Sequence, residues 1–381
     1  MLAVAAPIAA RAAAHIPASD ETVLEVVPAA SQLREIQPLR RGLAANPTDP
    51  EAITALARGY LGIGRSTSDP RFVSYAQAVL APLLQRADVT ADALVLAAIA
   101  LQSSHRFDEA QQMLDRALQK DPQHAQAWLT KATVLQVQGD FAAARKACAR
   151  LITAAGQLVA VTCLANADSM MGRLSESYES LQQVFVDDER LPAEMRSWIW
   201  GELGEMSVRL GLDARAEQCF ETALRLNPAD LYVRGEYADL LLRLSRPGDA
   251  VRLLADNEAQ DALLLRLAIA GKSLGTAQGR RWAQMFQDRS DAAARDSDGT
   301  HMREQARFLL DVRSDASAAL SVATRNWQVQ REPADIRIYA RAAAATRNDA
   351  AKSGLLAWTR ASGYQDATLA GEFATAGTAA R

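Results

Sequence analysis

The sequence predicts an all-α fold, a solenoid of antiparallel helix hairpins, on three observations. The apolar share of 49% is carried largely by Ala and Leu, with aromatics at only 6%, and these are the residues that cost least to place in a helix. Small residues recur in phase: Ala110 and Ala144 are 34 residues apart, a spacing typical of stacked hairpins. Pro122 and Pro228 each follow an apolar run, where a proline blocks continuation of the helix and opens a turn. A chain of 381 residues is long for one core. A repeat array escapes that limit because each unit packs only on its neighbours.

The units follow in order. An early one reads Ile53, Leu56, Ala57 and Tyr60, then Ala76 and Leu80, with extra residues from Gly62 to Pro70 assigned to the hairpin loop. The next gives Leu94, Ala98, Leu101, Ala110, Leu114, Ala117 and Pro122, and the third Trp128, Ala132, Leu135, Gly139, Ala144 and Cys148. A weaker unit holds Leu164, Ala165, Gly172, Ser177 and Leu181. The clearest runs from Trp200 through Leu203, Gly204, Ala216, Phe220 and Ala223 to Pro228, and another has Tyr237, Ala238, Leu241, Ala250 and Leu254. Where two helices cross, only a small side chain permits close approach, and larger ones fill the gaps beside it.

The Trp200 unit resembles the tetratricopeptide signature, in which Trp, Leu and Gly mark the first helix, Ala and Phe the second, and Pro the onward turn. One position departs, since Ser207 stands where the family usually has Tyr. The resemblance implies a right-handed α-α superhelix over residues 50–255, with the first helices lining a concave groove. Beyond it, a helix from Asp261 to Ser273 is expected, then a break near Gly275 and Gly279 and a polar helix from Arg281 to Arg295. Two degenerate hairpins follow, Arg303 to Arg331 and Ala334 to Gly363, parted by Pro333, so that residues 256–363 continue the array. Residues 15–49 form an N-terminal segment and 364–381 a small-residue cap or tail.

A net charge of −3 supplies no overall basic field to gather nucleic acid, and no nucleic-acid partner is expected. After the N-terminus no apolar run is long enough to cross a bilayer. Residues 1–14, apolar and ending in Ala12, Ala13 and Ala14, look like part of a secretion signal. They point to an exported, periplasmic bacterial protein, with a cytoplasmic one as the alternative. Of the three cysteines, Cys148 and Cys163 fall on faces that adjoin in the family's packing and are a candidate disulfide. Cys219 reads as a packing residue. His15, His105, His124 and His301 lie too far apart in sequence for a metal site. No phosphate-binding loop, nucleophile elbow or dinucleotide fingerprint is present, and no cofactor is expected.

The expected function is therefore non-enzymatic: a scaffold whose groove holds a partner protein or peptide. One alternative is a periplasmic accessory of an envelope or polysaccharide-export machine. Another is an unrecognised enzyme in the C-terminal third. Family positions place Gln102, Thr133, Gln136, Asn166, Trp198, Glu205, Arg209, Tyr232, Asp239 and Arg243 on the groove. Trp200 takes the packing position, which leaves Trp198 to face a partner. The resemblance also implies that Asn166 stands without the Lys that accompanies such an Asn in chaperone-binding members, so a carboxylate clamp is not expected.

Overall fold

The computed structural model describes residues 30–296 and 301–370. These are helical throughout, with no strand among them. Helix α1 (Ala30–Ala45) leads into hairpins of α2 (Pro50–Thr67) with α3 (Pro70–Leu84), α4 (Ala91–Ser103) with α5 (Phe107–Lys120), and α6 (Ala125–Val137) with α7 (Phe141–Ala154). Then come α8 (Gln157–Ser169) with α9 (Leu174–Val184), α10 (Ala193–Arg209) with α11 (Asp213–Leu226), and α12 (Leu231–Arg243) with α13 (Pro247–Leu254). The last three hairpins are α14 (Asp261–Leu274) with α15 (Ala277–Asp296), α16 (Met302–Asp311) with α17 (Ala316–Asn326), and α18 (Pro333–Ala345) with α19 (Asp349–Ser362). The signal-like residues 1–14 lie outside the described residues.

Local chemistry sets these boundaries. Asp49, Thr90, Asp140 and Asp230 accept hydrogen bonds from first-turn amides that have no partner within the helix. Pro50, Pro70, Pro247 and Pro333 occupy first-turn positions, where their missing N–H costs nothing. The residues before Pro70 do not form the loop expected of them. They extend α2 to 18 residues, and a turn at Ser68 (φ 55°) delivers the chain to its Asp69 cap. The longer helix buries Leu61 and Ile63, which a solvent-facing loop would have left wet. Gly279 does not break the chain either. It sits inside α15, while Gly275 ends α14 in the left-handed conformation (φ 66°).

Hairpin crossings are made by small residues. Ala98, Ala110, Ala132, Ala144, Ala216, Ala238 and Ala250 are wholly inaccessible. The tightest crossing is between α14 and α15, where a Cβ added to Gly271 would lie 2.2 Å from the Gly279 Cα. Between hairpins, Cys148 on α7 and Cys163 on α8 form a disulfide with Cα atoms 5.4 Å apart.

The C-terminal hairpins do more than continue the array. The superhelix brings them round against the tight turns that join the helices of earlier hairpins. Arg331 N–H donates to the Val137 carbonyl at 2.8 Å, and Gln330 meets His105. Gly172 and Gly363, both with positive φ, are so close that a Cβ on Gly363 would reach 3.0 Å from the Gly172 Cα. An apolar cluster fills the seam, uniting Phe141 and Met170 with Ile336, Ala340, Leu355, Tyr364 and Leu369. Residues 364–369 are therefore a packed cap rather than a tail, and residues 371–381 lie outside the described part.

Two outcomes follow in stability measurements. Gly271→Ala, which helix propensity alone would favour by about 1 kcal/mol, is expected to lower unfolding free energy by about 1–3 kcal/mol through overpacking, measured by urea titration. Reducing the Cys148–Cys163 bond, which closes a loop of 15 residues, is expected to cost about 3 kcal/mol on the chain-entropy account. The Cys148→Ser, Cys163→Ser double variant should then be insensitive to reductant.

Candidate functional site

The concave side holds a cavity of about 670 Å³. Its inner wall is built from first helices, each offering one face at helical spacing: Leu129, Thr133 and Gln136 on α6, Cys163 and Asn166 on α8, and Trp198, Glu202 and Glu205 on α10. Gln102 near the end of α4 and Tyr232 near the start of α12 complete that wall. The facing wall is supplied by the returning C-terminal part: His301, Met302, Arg303 and Glu304 at α16, and Gln330 and Glu332 from the link between α17 and α18.

Gln102, Thr133, Gln136, Asn166, Trp198, Glu205 and Tyr232 thus share one chamber. Three other expected groove residues do not. Arg209 is only 3% exposed; its guanidinium donates to Ser169 Oγ at 2.8 Å, the Ser169 carbonyl at 2.5 Å and the Gln365 carbonyl at 3.2 Å. It also lies 4.8 Å over the Tyr364 ring. Five donors and a planar face suit it to clamp the C-terminal cap to α8, and none of that surface is left for a partner. Asp239 is held between Arg266 at 2.6 Å and Arg307 at 2.5 Å. Burial opposes its ionisation, but the two guanidinium charges prevail and hold its carboxyl down at about 2. Arg243 pairs with Asp213 at 2.5 Å on the surface, away from the cavity lining.

The two neighbouring tryptophans divide their work. Trp198 lines the cavity and its indole N–H donates to Glu202 at 2.9 Å. Trp200 packs edge-on to Phe185, with rings 5.6 Å apart, and bonds Asp187. Glu202 escaped the sequence reading although it sits four residues after Trp198 and three before Glu205, a spacing that puts all three on one helix face. Arg303, Glu304, Gln330 and Glu332 carried no local sign, because the contact that brings them here joins residues 225 apart in sequence.

The chamber's electrostatics are lopsided. Arg303, the one Arg or Lys among the lining residues, is committed to Asp335 at 2.6 and 2.8 Å and to Glu332. Glu202 accepts from Asn166 at 2.5 Å and from Trp198, both neutral donors. Burial raises its pKa, and these donors only partly offset that. Glu205 is pushed well above the ordinary glutamate range by burial first, then by the charges of Glu202 and Glu236. Tyr232 leaves 57% of its surface open, and its hydroxyl donates to Glu205, which partly offsets the rise there. Burial lowers the His105 pKa, with His301 adding to the effect, so the imidazole is neutral at pH 7.

A concave face lined by the first helices of stacked hairpins defines the class: a helical-repeat solenoid. Two stretches of the array match tetratricopeptide repeats. One tetratricopeptide-repeat family model matches residues 101–161 and a second matches residues 199–230. No curated protein matches the chain in sequence. Among solved structures, a monomeric mutant of human IFIT1 with Gppp-AAAA aligns at TM-score 0.50 and 14% identity, over 81% of this chain and 75% of that one. PilF of Pseudomonas aeruginosa aligns at TM-score 0.33 and 20% identity, over 62% and 89%. Yeast Tom70 aligns at TM-score 0.40 and 11% identity, over 87% and 85%. At these identities the likeness is one of fold. Among the described residues no group of three or more potential metal ligands occurs and no helix is long and apolar enough to cross a membrane.

The raised carboxyls have a signed consequence. A glutamate that binds its proton more tightly in the folded state destabilises the fold as pH rises from the ordinary value near about 4.3 through the raised one. Glu205→Gln is therefore expected to raise the thermal midpoint relative to wild type at pH 8. The difference should shrink to nothing at about pH 3, below the ordinary glutamate value, where both chains are neutral at that position.

Proposed function

We propose that the protein is a non-enzymatic scaffold that captures a short segment of a partner protein in the chamber between α6–α12 and the returning C-terminal hairpins. The observation that carries this reading is that seven residues expected on a partner-binding groove line one cavity of about 670 Å³. A helix about 10 Å wide occupies roughly 420 Å³ per turn, so the chamber admits about a turn and a half of helix. A few extended residues fit it better. Gln102, Gln136 and Asn166 can donate to and accept from the backbone of such a segment, while Trp198 and Tyr232 offer broad apolar contact at low entropic cost.

The test is crosslinking from within the groove. A photoreactive residue at Thr133 is expected to trap a specific partner in extracts of the native host, and Trp198→Ala should reduce the yield at least tenfold. A crosslinker on the exposed Glu109 should trap nothing in common. Equal yields from wild type and Trp198→Ala count against the chamber as the binding surface.

A second reading concerns compartment. We infer export, as part of an envelope assembly, from the Cys148–Cys163 bond, because disulfides persist in oxidising compartments and are rare in the cytosol. Acid-quenching of intact cells, followed by alkylation of thiols under denaturing conditions, distinguishes the cases: labelling of Cys219 alone supports export, and labelling of all three cysteines overturns it.

A further inference from the structure

We propose that the chamber selects its partner segment by a basic side chain, Arg or Lys, seated against the aromatic faces of Trp198 and Tyr232 and neutralising the carboxylates of Glu202 and Glu205. This rests on the scaffold reading and gives its ligand a chemistry.

Four features of the cavity converge on a cation. Carboxylates from both walls face it, Glu202 and Glu205 from α10 and Glu304 from α16. The guanidinium of Arg303, the only one in the lining, is already consumed by Glu332 and Asp335. Glu205 accepts from the neutral Tyr232 hydroxyl and feels Arg209 only at a distance, with no salt bridge of its own among the described residues. A glutamine there would keep a similar shape and avoid the cost of an ion held away from water and beside two like charges. A cation arriving at the site relieves that cost and converts it into charge-assisted hydrogen bonds. Finally, two aromatic rings border the same space, and an organic cation gains from the negative face of such a ring. The same carboxylates repel phosphate, so the chamber discriminates against nucleic acid.

The proposal is tested on the full chain with four immobilised libraries of capped heptapeptides, randomised except at the centre, which is Arg, Lys, citrulline or Glu. A 5′-phosphorylated oligoadenylate serves as a fifth probe. Arg- and Lys-centred libraries are expected to retain at least tenfold more protein than citrulline- and Glu-centred ones. The Glu202→Gln, Glu205→Gln variant should lose that preference, and Glu109→Gln on the outer face of α5 should keep it. Loss through unfolding is checked by the thermal midpoint, which Glu205→Gln alone is expected to raise. Equal retention on the citrulline-centred library overturns the cation. If that retention is abolished by Thr133→Trp, which fills the chamber, the groove reading survives without it. Retention on the oligoadenylate in preference to every peptide library, or no retention on any, overturns both.

Discussion

The contact on which the rest of this molecule depends is the one between its C-terminal hairpins and the hairpins of its middle. A stack of helix hairpins is by itself an open groove, since each unit meets only its neighbours. Here the array curves until residues 327–369 touch the tight turns after α6, α8 and α10, with Arg331 on Val137, Gly363 on Gly172 and Arg209 gripping Ser169 and Gln365. Phe141, Met170, Leu355, Tyr364 and Leu369 pack the seam. The groove thereby becomes a chamber with two walls, and side chains from the middle of the chain and from its C-terminal part come to face each other across it.

That enclosure also explains the chamber's chemistry. The same glutamates on an open groove would sit in water and hold ordinary proton affinities. Placed behind a second wall, Glu202 and Glu205 lose hydration and gain no salt bridge among the described residues, only neutral donors and the more distant charge of Arg209. Elsewhere the concave side solves this problem by pairing, as at Asp239 between Arg266 and Arg307, or Asp311 with Arg341 at 2.5 Å. The absence of such pairing at Glu205 is what separates a binding surface from a structural network built of the same residue types.

The repeat architecture was legible because its signals are local. Small residues in phase, prolines after helix ends and the Trp200 to Pro228 run each report on packing within one hairpin, and Thr133, Gln136, Asn166, Trp198 and Tyr232 follow from helix faces. Errors arose where a distant element intervened. Arg209 occupies a groove position by spacing, but the cap at Tyr364 and Gln365 covers it. Asp239 was assigned to a partner when Arg307, on a helix 68 residues away, had already claimed it. One of the chamber's two walls comes from a return contact that no periodicity encodes. The extension of α2 past Gly62 was missed for a related reason: a glycine-containing stretch reads as a loop unless one knows that Leu61 and Ile63 have a core to enter.

The disulfide has a mechanical meaning as well as a thermodynamic one. Cys148 and Cys163 join the second helix of one hairpin to the first helix of the next, at the joint where a solenoid ordinarily flexes. With that joint stapled, α7 and α8 are held together by a covalent bond, whereas the joints from α9 to α14 rest on non-covalent contacts. The inner wall is therefore covalently braced on the side of Thr133 and Gln136 and held by non-covalent contacts alone on the side of Trp198 and Tyr232.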